Sequence, residues 1–209
     1  MKLKLITLAT VLAVALPAQA VLVNTAADLP ASVVTINFEA YDGLLTTGPE
    51  VLSPAVTFTG DSGSELGAFI RDLGANGAWG VGNRFAASGF VGELRFTFAD
   101  LSGGAGAFVN HFADDVLPFS VVVSAYGDNN QIIETHTISV VTAFDSYNEG
   151  LFVGIVRNEA DIRSLSFKGV GVVVDNLSVA VPVPEPQTYA LMLGGLGVVG
   201  WLARRRRRG

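Results

Sequence analysis

His111 and His136 are the only histidines among the 209 residues, and there is no cysteine. The missing thiols remove disulfides, zinc thiolates and thiol nucleophiles from consideration. Asp114 and Asp115 follow His111 closely, and Glu134 lies two residues before His136. A histidine beside a carboxylate is the pairing general-base chemistry uses, because the acid orients the imidazole and stabilises its protonated form. His136, flanked by Thr135 and Thr137 in an alternating stretch, instead occupies the place of an exposed cross-strand residue. No G-x-S-x-G elbow and no H-E-x-x-H accompanies either histidine. They read as surface or structural groups, and the domain as non-enzymatic. Trp79 lies in a Gly-rich stretch, Gly74 to Arg84. Its ring either stacks on a sugar, with Asn76, Asn83 and Arg84 as polar partners, or anchors the loop by burying the indole. Tyr41, Tyr126 and Tyr147 admit the same two readings. The glycines at Gly103, Gly104 and Gly106 form no nucleotide loop, since no helix follows to offer its N-terminus to phosphate.

The charges that surround these groups are segregated. Lys2 and Lys4 stand at one end of the chain and Arg204 to Arg208 at the other. Between Val21 and Val181 there are six basic and eighteen acidic residues, a net charge of −12. Such a surface disfavours nucleic acid, whose phosphates need clustered Lys and Arg. It suits a cation-rich exterior or a Ca²⁺ site.

Both ends read as address labels. Met1 to Ala20 has a positive start at Lys2 and Lys4, an apolar run from Leu5 to Leu16, and a small-x-small cleavage site at Ala18-Gln19-Ala20. That order is the layout of a secretory signal peptide, and cleavage after Ala20 leaves Val21 as the mature N-terminus. At the other end, alternating prolines from Val181 to Pro186 remove backbone donors and favour an extended chain. Thr188 to Ala203 is apolar apart from Thr188. As a helix it would span roughly 24 Å, a little short for a hydrocarbon core. Tyr189 and Trp201 sit near its ends, where amphipathic rings favour the membrane interface. Arg204, Arg205, Arg206, Arg207 and Arg208 then anchor the topology, staying cytoplasmic and placing the chain before Pro186 outside.

Pro184-Glu185-Pro186, a short apolar helix and a terminal arginine cluster together resemble the PEP-CTERM sorting signal, over about the last 28 residues. The resemblance implies that the tail is recognised by exosortase, a multi-pass membrane enzyme, near Pro184, Glu185 and Pro186. It also implies a Gram-negative setting with exopolysaccharide and biofilm. The expected organisation is a signal peptide at 1–20, a domain at 21–181 and a sorting tail at 182–209.

The elements that must position the middle residues read as strands. Short β-branched and aromatic runs recur, separated by Gly, Asn, Asp and Ser, and no convincing amphipathic helix appears. Val33 to Glu39 alternates, with Val34, Ile36 and Phe38 on one face. Val56 to Thr59 is a second run, and Glu93 to Ala99 places Leu94, Phe96 and Phe98 together. Ala107 to Phe112 follows the Gly-rich turn at Gly103. Phe119 to Tyr126, a turn at Gly127-Asp128-Asn129-Asn130, and Gln131 to Val140 form the clearest hairpin. Leu151 to Val156, Ile162 to Lys168 and Val170 to Ala180 follow. Eight to ten strands at this spacing predict an all-β, antiparallel, jelly-roll-like sandwich.

The ending Gly171 to Val179, preceded by Phe167-Lys168-Gly169, resembles the last strand of jelly-roll domains related to carbohydrate-binding modules. Ile36-Asn37-Phe38-Glu39 resembles their first. The resemblance implies that these strands are adjacent and that Glu39 and Asp175 help hold a structural Ca²⁺. Asn37, Asp42 and Asn176 are further neighbours, and the alternative is that both acids end strands and face solvent. The function expected is that of an exported surface or extracellular-matrix protein, sorted by exosortase from a precursor tethered to the inner membrane and facing the periplasm. The competing readings are a carbohydrate-binding module for an extracellular polysaccharide, with Trp79 as the stacking residue, and a hydrolase or lyase on the same scaffold.

Overall fold

The structure, a computed structural model, describes residues 20–30, 32–69, 84–111, 119–141, 150–181 and 195–196. Alternation of apolar and polar residues dominates these segments, and they form two antiparallel sheets. Fourteen strands occur among the described residues. They are β1 (Ala20–Val23), β2 (Val33–Ile36), β3 (Leu44–Leu45), β4 (Glu50–Ser53), β5 (Val56–Thr59), β6 (Glu65–Phe69) and β7 (Arg84–Ala87), followed by β8 (Val91–Ser102), β9 (Gly104–His111), β10 (Phe119–Tyr126), β11 (Ile132–Val140), β12 (Leu151–Arg157), β13 (Ile162–Val170) and β14 (Val172–Ala180). The eight-stranded sheet runs β1-β12-β9-β14-β7-β6-β3, with β2 also on β14. The six-stranded sheet runs β11-β10-β13-β8-β5-β4. The number exceeds eight to ten because β1, β3, β4, β6 and β7 are two to five residues long and carry too little alternation to stand out.

The core lies between the sheets. Leu94, Phe96 and Phe98 of β8 turn inward at 0%, 0% and 2% exposure, as period-two alternation requires. The Phe96 ring centroid lies 6.0 Å from Phe38, 5.6 Å from Phe58 and 6.3 Å from Phe167. Facing it are Val109, Ile155, Val174 and Leu177 from the other sheet. The hairpin β10–β11 forms as expected, with Asn130 in the left-handed region at φ 60°.

Three local expectations change. The first strand stops at Ile36 rather than Glu39, because Phe38 takes φ 58° to turn its ring into the core. Gly104 and Gly106 lie inside β9 rather than in a turn. Gly106 faces Gly154, and a Cβ on Gly106 would come within 2.6 Å of the Gly154 Cα, so side chains there would force β9 and β12 apart. Ala20, the last residue of the expected signal peptide, opens β1 and pairs with Arg157. Ala18 and the rest of 1–19 lie outside the described residues. In the tail only Gly195 and Leu196 are described, and both are helical. Among the described residues no helix is long and apolar enough to cross a membrane.

Candidate functional site

The central strand β14 changes partner halfway along one side. Val173 and Val174 pair with Ala87 and Ala86 of β7, and Leu177 to Ala180 pair with Ile36 to Val33 of β2. Asp175 and Asn176 fall at the junction. On the other side of β14 the register with β9 shifts between Asp175 and Ser178, and Asn176 adopts φ 49°. Asparagine tolerates that conformation better than most residues. The irregularity brings the end of β2 and the start of β7 together over Asp175. Glu39, just beyond β2, accepts a hydrogen bond from the Arg84 backbone N–H at 2.7 Å.

Asp175 is 4% exposed and receives the Asn176 N–H on Oδ1 at 2.6 Å. Burial pushes its carboxyl up to about 7, the Asn176 N–H pulls against that, and the Glu39 charge adds to the rise. The Glu39 charge thus acts on Asp175 across the junction. Two carboxylates in such a place are relieved by a shared proton or by a cation. The chemistry of the donors fits the carboxylate share of a Ca²⁺ shell. The other oxygens expected there are engaged elsewhere: Asn37 Oδ1 accepts the Glu39 N–H at 3.3 Å, and Asp42 pairs with Arg84 at 2.6 Å on the surface. Asn176 stays at the site, its Nδ2 3.3 Å from Asp175 Oδ2. No group of three or more His, Cys, Asp or Glu that could hold a metal occurs among the described residues.

The histidines do not form a site with each other. His111 is 1% exposed, and its Nε2 lies 3.0 Å from the Val140 carbonyl, joining β9 of one sheet to β11 of the other. Asp114 and Asp115 lie outside the described residues. His136 is half-buried rather than exposed, with Nε2 2.9 Å from Glu134 Oε1. Glu134 in turn reaches toward Arg157, whose main partner is Asp161 at 2.6 Å. Burial and the Glu50 charge raise the Tyr41 hydroxyl pKa. Trp79, Asn76, Asn83 and Tyr147 lie outside the described residues, as do Pro184, Glu185, Pro186 and Arg204 to Arg208.

A second polar region was not anticipated as a unit. The side chains of β8 that point away from the core are Glu93, Arg95 and Thr97, and neighbouring strands place Thr57, Thr59, Ser164, Ser166 and Ser124 beside them. The Arg95 guanidinium carbon lies 3.8 Å from the centroid of the Tyr126 ring, a cation–π stack. Two open clefts, of about 250 Å³ and about 270 Å³, meet at Thr59 and Arg95. The alternation that buries Leu94, Phe96 and Phe98 is the signal that assigns Arg95 to this face.

Beyond β14 the chain passes through Val181 into the proline-rich stretch, and a family of known sorting sequences matches there over residues 182–208. The tail is a PEP-CTERM protein-sorting motif. Such a motif implies export and exosortase-mediated processing of a membrane-anchored precursor. No curated protein matches the chain. Solved structures similar to it include the K2 cleaved adhesin domain of Lys-gingipain, at 12% identity and a TM-score of 0.45, covering 73% of this chain and 100% of that one. The K3 adhesin domain of Lys-gingipain from Porphyromonas gingivalis is similar at 12% identity and TM-score 0.38, covering 71% and 97%. The family 11 carbohydrate-binding module of Clostridium thermocellum Lic26A-Cel5E is similar at 9% and 0.25, covering 75% and 99%.

Proposed function

We propose that this chain is a surface or extracellular-matrix protein whose non-enzymatic sandwich works in an exopolysaccharide or biofilm matrix after exosortase has processed its tail. The observation that carries the reading is the sorting motif at 182–208, which follows the last strand, β14, with one intervening residue, Val181. The sandwich is thereby the cargo that the tail delivers. Mass spectrometry of the mature C-terminus, in cells with and without exosortase, tests it. Truncation near Pro184-Glu185-Pro186 in the first and an intact tail in the second is expected. An intact C-terminus in both would overturn it.

The second reading, a carbohydrate-binding module, is favoured by the outer face of the six-stranded sheet. The Thr57, Thr59 and Thr97 hydroxyls with a stacked Tyr126–Arg95 pair offer the mixed apolar and hydrogen-bonding contacts that sugar rings take up. Binding of the full chain to a glycan panel, lost on Tyr126→Ala, is the expected result; an unbound panel would remove this reading.

Glu39 and Asp175 belong in the proposal as the carboxylates of a structural Ca²⁺ site, the remaining oxygens coming from backbone and water. The cation would neutralise the pair and tie β2 and β7 to β14. Chelator and added Ca²⁺ should shift the melting temperature in opposite directions, and an unmoved transition would dismiss the metal.

A further inference from the structure

Four arginines fall among the described residues, and three have a carboxylate close by. Arg84 lies 2.6 Å from Asp42, Arg157 2.6 Å from Asp161 and Arg163 2.7 Å from Asp128. Arg95 has no carboxylate within ion-pair distance among the described residues. It is nevertheless held firmly. Its Nε and Nη2 donate to Ser164 Oγ at 2.9 Å and 2.7 Å, Nη2 also donates to Asn130 Oδ1, and the group stacks on Tyr126. Nη1 donates no hydrogen bond among the described residues.

An immobilised guanidinium with no carboxylate within ion-pair distance among the described residues is arranged for an external anion, because its ordering is complete before the ligand arrives. The cleft of about 250 Å³ beside it adds the hydroxyls of Thr59 and Thr97 and the Arg163–Asp128 pair. Its charged groups are two arginines and one aspartate, so it is net positive on a segment whose sequence totals −12. The adjoining cleft adds Asp61 and Glu93 and is net negative around the same Arg95. One cleft therefore attracts a carboxylate and its neighbour repels one.

We propose that the outer face of the six-stranded sheet binds an acidic polysaccharide, with a uronate carboxylate on Arg95 and the neutral sugar beside it in the adjoining cleft. The inference rests on the sugar-binding reading of this face and adds the charge of the sugar. Nη1, the nitrogen that donates no hydrogen bond among the described residues, is placed to donate to a carboxylate, whereas the threonine hydroxyls serve ring hydroxyls of any sugar.

The test uses the full chain in detergent micelles. Its probes are a xylotetraose bearing one glucuronic acid and the same oligosaccharide with that carboxyl reduced to the alcohol. Calorimetry should show the acidic form binding at least about tenfold more tightly, with a preference that fades as salt rises. Arg95→Gln should abolish the preference. Asn130→Asp, which supplies an internal counter-ion without shortening Arg95, should do the same, and melting curves would verify that both variants fold. Equal binding of the two probes by the unaltered chain would overturn the role of Arg95 and leave sugar binding standing. Binding of neither would overturn both.

Discussion

Replacing Asp175 by asparagine should stabilise the protein at alkaline pH, although it removes a buried hydrogen-bonding acid. The carboxyl is 4% exposed, and its pKa rises from 3.8 to about 7, through burial, against the Asn176 N–H, and with help from Glu39. An acid whose folded pKa is raised binds its proton more tightly in the folded state. The folded state is then favoured below the unfolded pKa, and the penalty accumulates as pH rises from about 4 to about 7 and is constant above. About 3 pK units at 1.36 kcal/mol each give a ceiling of about 4 kcal/mol. For a domain of this size that is roughly 10 °C in melting temperature. The introduced amide would keep an acceptor for the Asn176 N–H but turn its NH2 toward the Asn176 Nδ2 that now donates to Asp175 Oδ2, a small cost that is the same at every pH and leaves the pH dependence intact. Thermal melts of both proteins in chelator, from pH 4 to pH 8, should nearly coincide at pH 4, with the variant well above the wild type at pH 8. Saturating Ca²⁺ should close that gap from the wild-type side, since a bound cation compensates the paired carboxylates. Parallel profiles in chelator would refute the reasoning, because they would mean that Asp175 does not titrate abnormally.

Asp61 should behave with the opposite sign. Backbone N–H groups of Gly63 and Gly89 and the Ser64 hydroxyl lower its pKa against the effect of burial, so its contribution is present at neutral pH and lost as pH falls through the acid range. Asp61→Asn should cost about 1–3 kcal/mol in urea melts at pH 7 and much less at pH 3. Gly92→Ala would drive a Cβ into the Asp61 carboxylate and should cost a further about 1–3 kcal/mol, measured in the same way. Phe96→Ala, which empties the centre of the cluster made with Phe38, Phe58 and Phe167, should cost about 3–5 kcal/mol by denaturant melts.

The long strands were legible because one face is buried and the other is not. Leu94, Phe96 and Phe98 declare β8, and the turn Gly127 to Asn130 declares the hairpin beside it. The short strands were illegible for a physical reason: β3 and β6 meet through only two residue pairs, too few to impose a period. Phe38 misled because its alternation was genuine while its backbone was not extended; burial beside Phe96 outweighed strand continuation. Glu39 and Asp175 could be linked through a resemblance but not through spacing, since they lie 136 positions apart and meet only where β14 exchanges one partner for another. Arg95 was overlooked for a different reason. A lone arginine opposite an apolar face looks like ordinary surface until its neighbours show that no carboxylate among the described residues pairs with it.

The strand that leads into the sorting tail is also the one most deeply built into the sheet. A tether could leave from an edge strand, but β14 pairs with β9 on one side and with β2 and β7 on the other, and the Val181 N–H donates to the Ser32 carbonyl at 2.8 Å just as the chain departs. A pull along the tail while the precursor is held at the membrane would load the ladders on both sides of β14 together, along the strand rather than across it. Hydrogen bonds loaded in that direction must yield collectively, whereas an edge strand can peel one bond at a time. The Asp175 junction is the weak place in this arrangement, because there the ladder to β9 shifts register and the ladder on the other side changes strand. If a proton or the proposed cation offsets the Glu39 charge acting on Asp175, it would strengthen the structure at this junction.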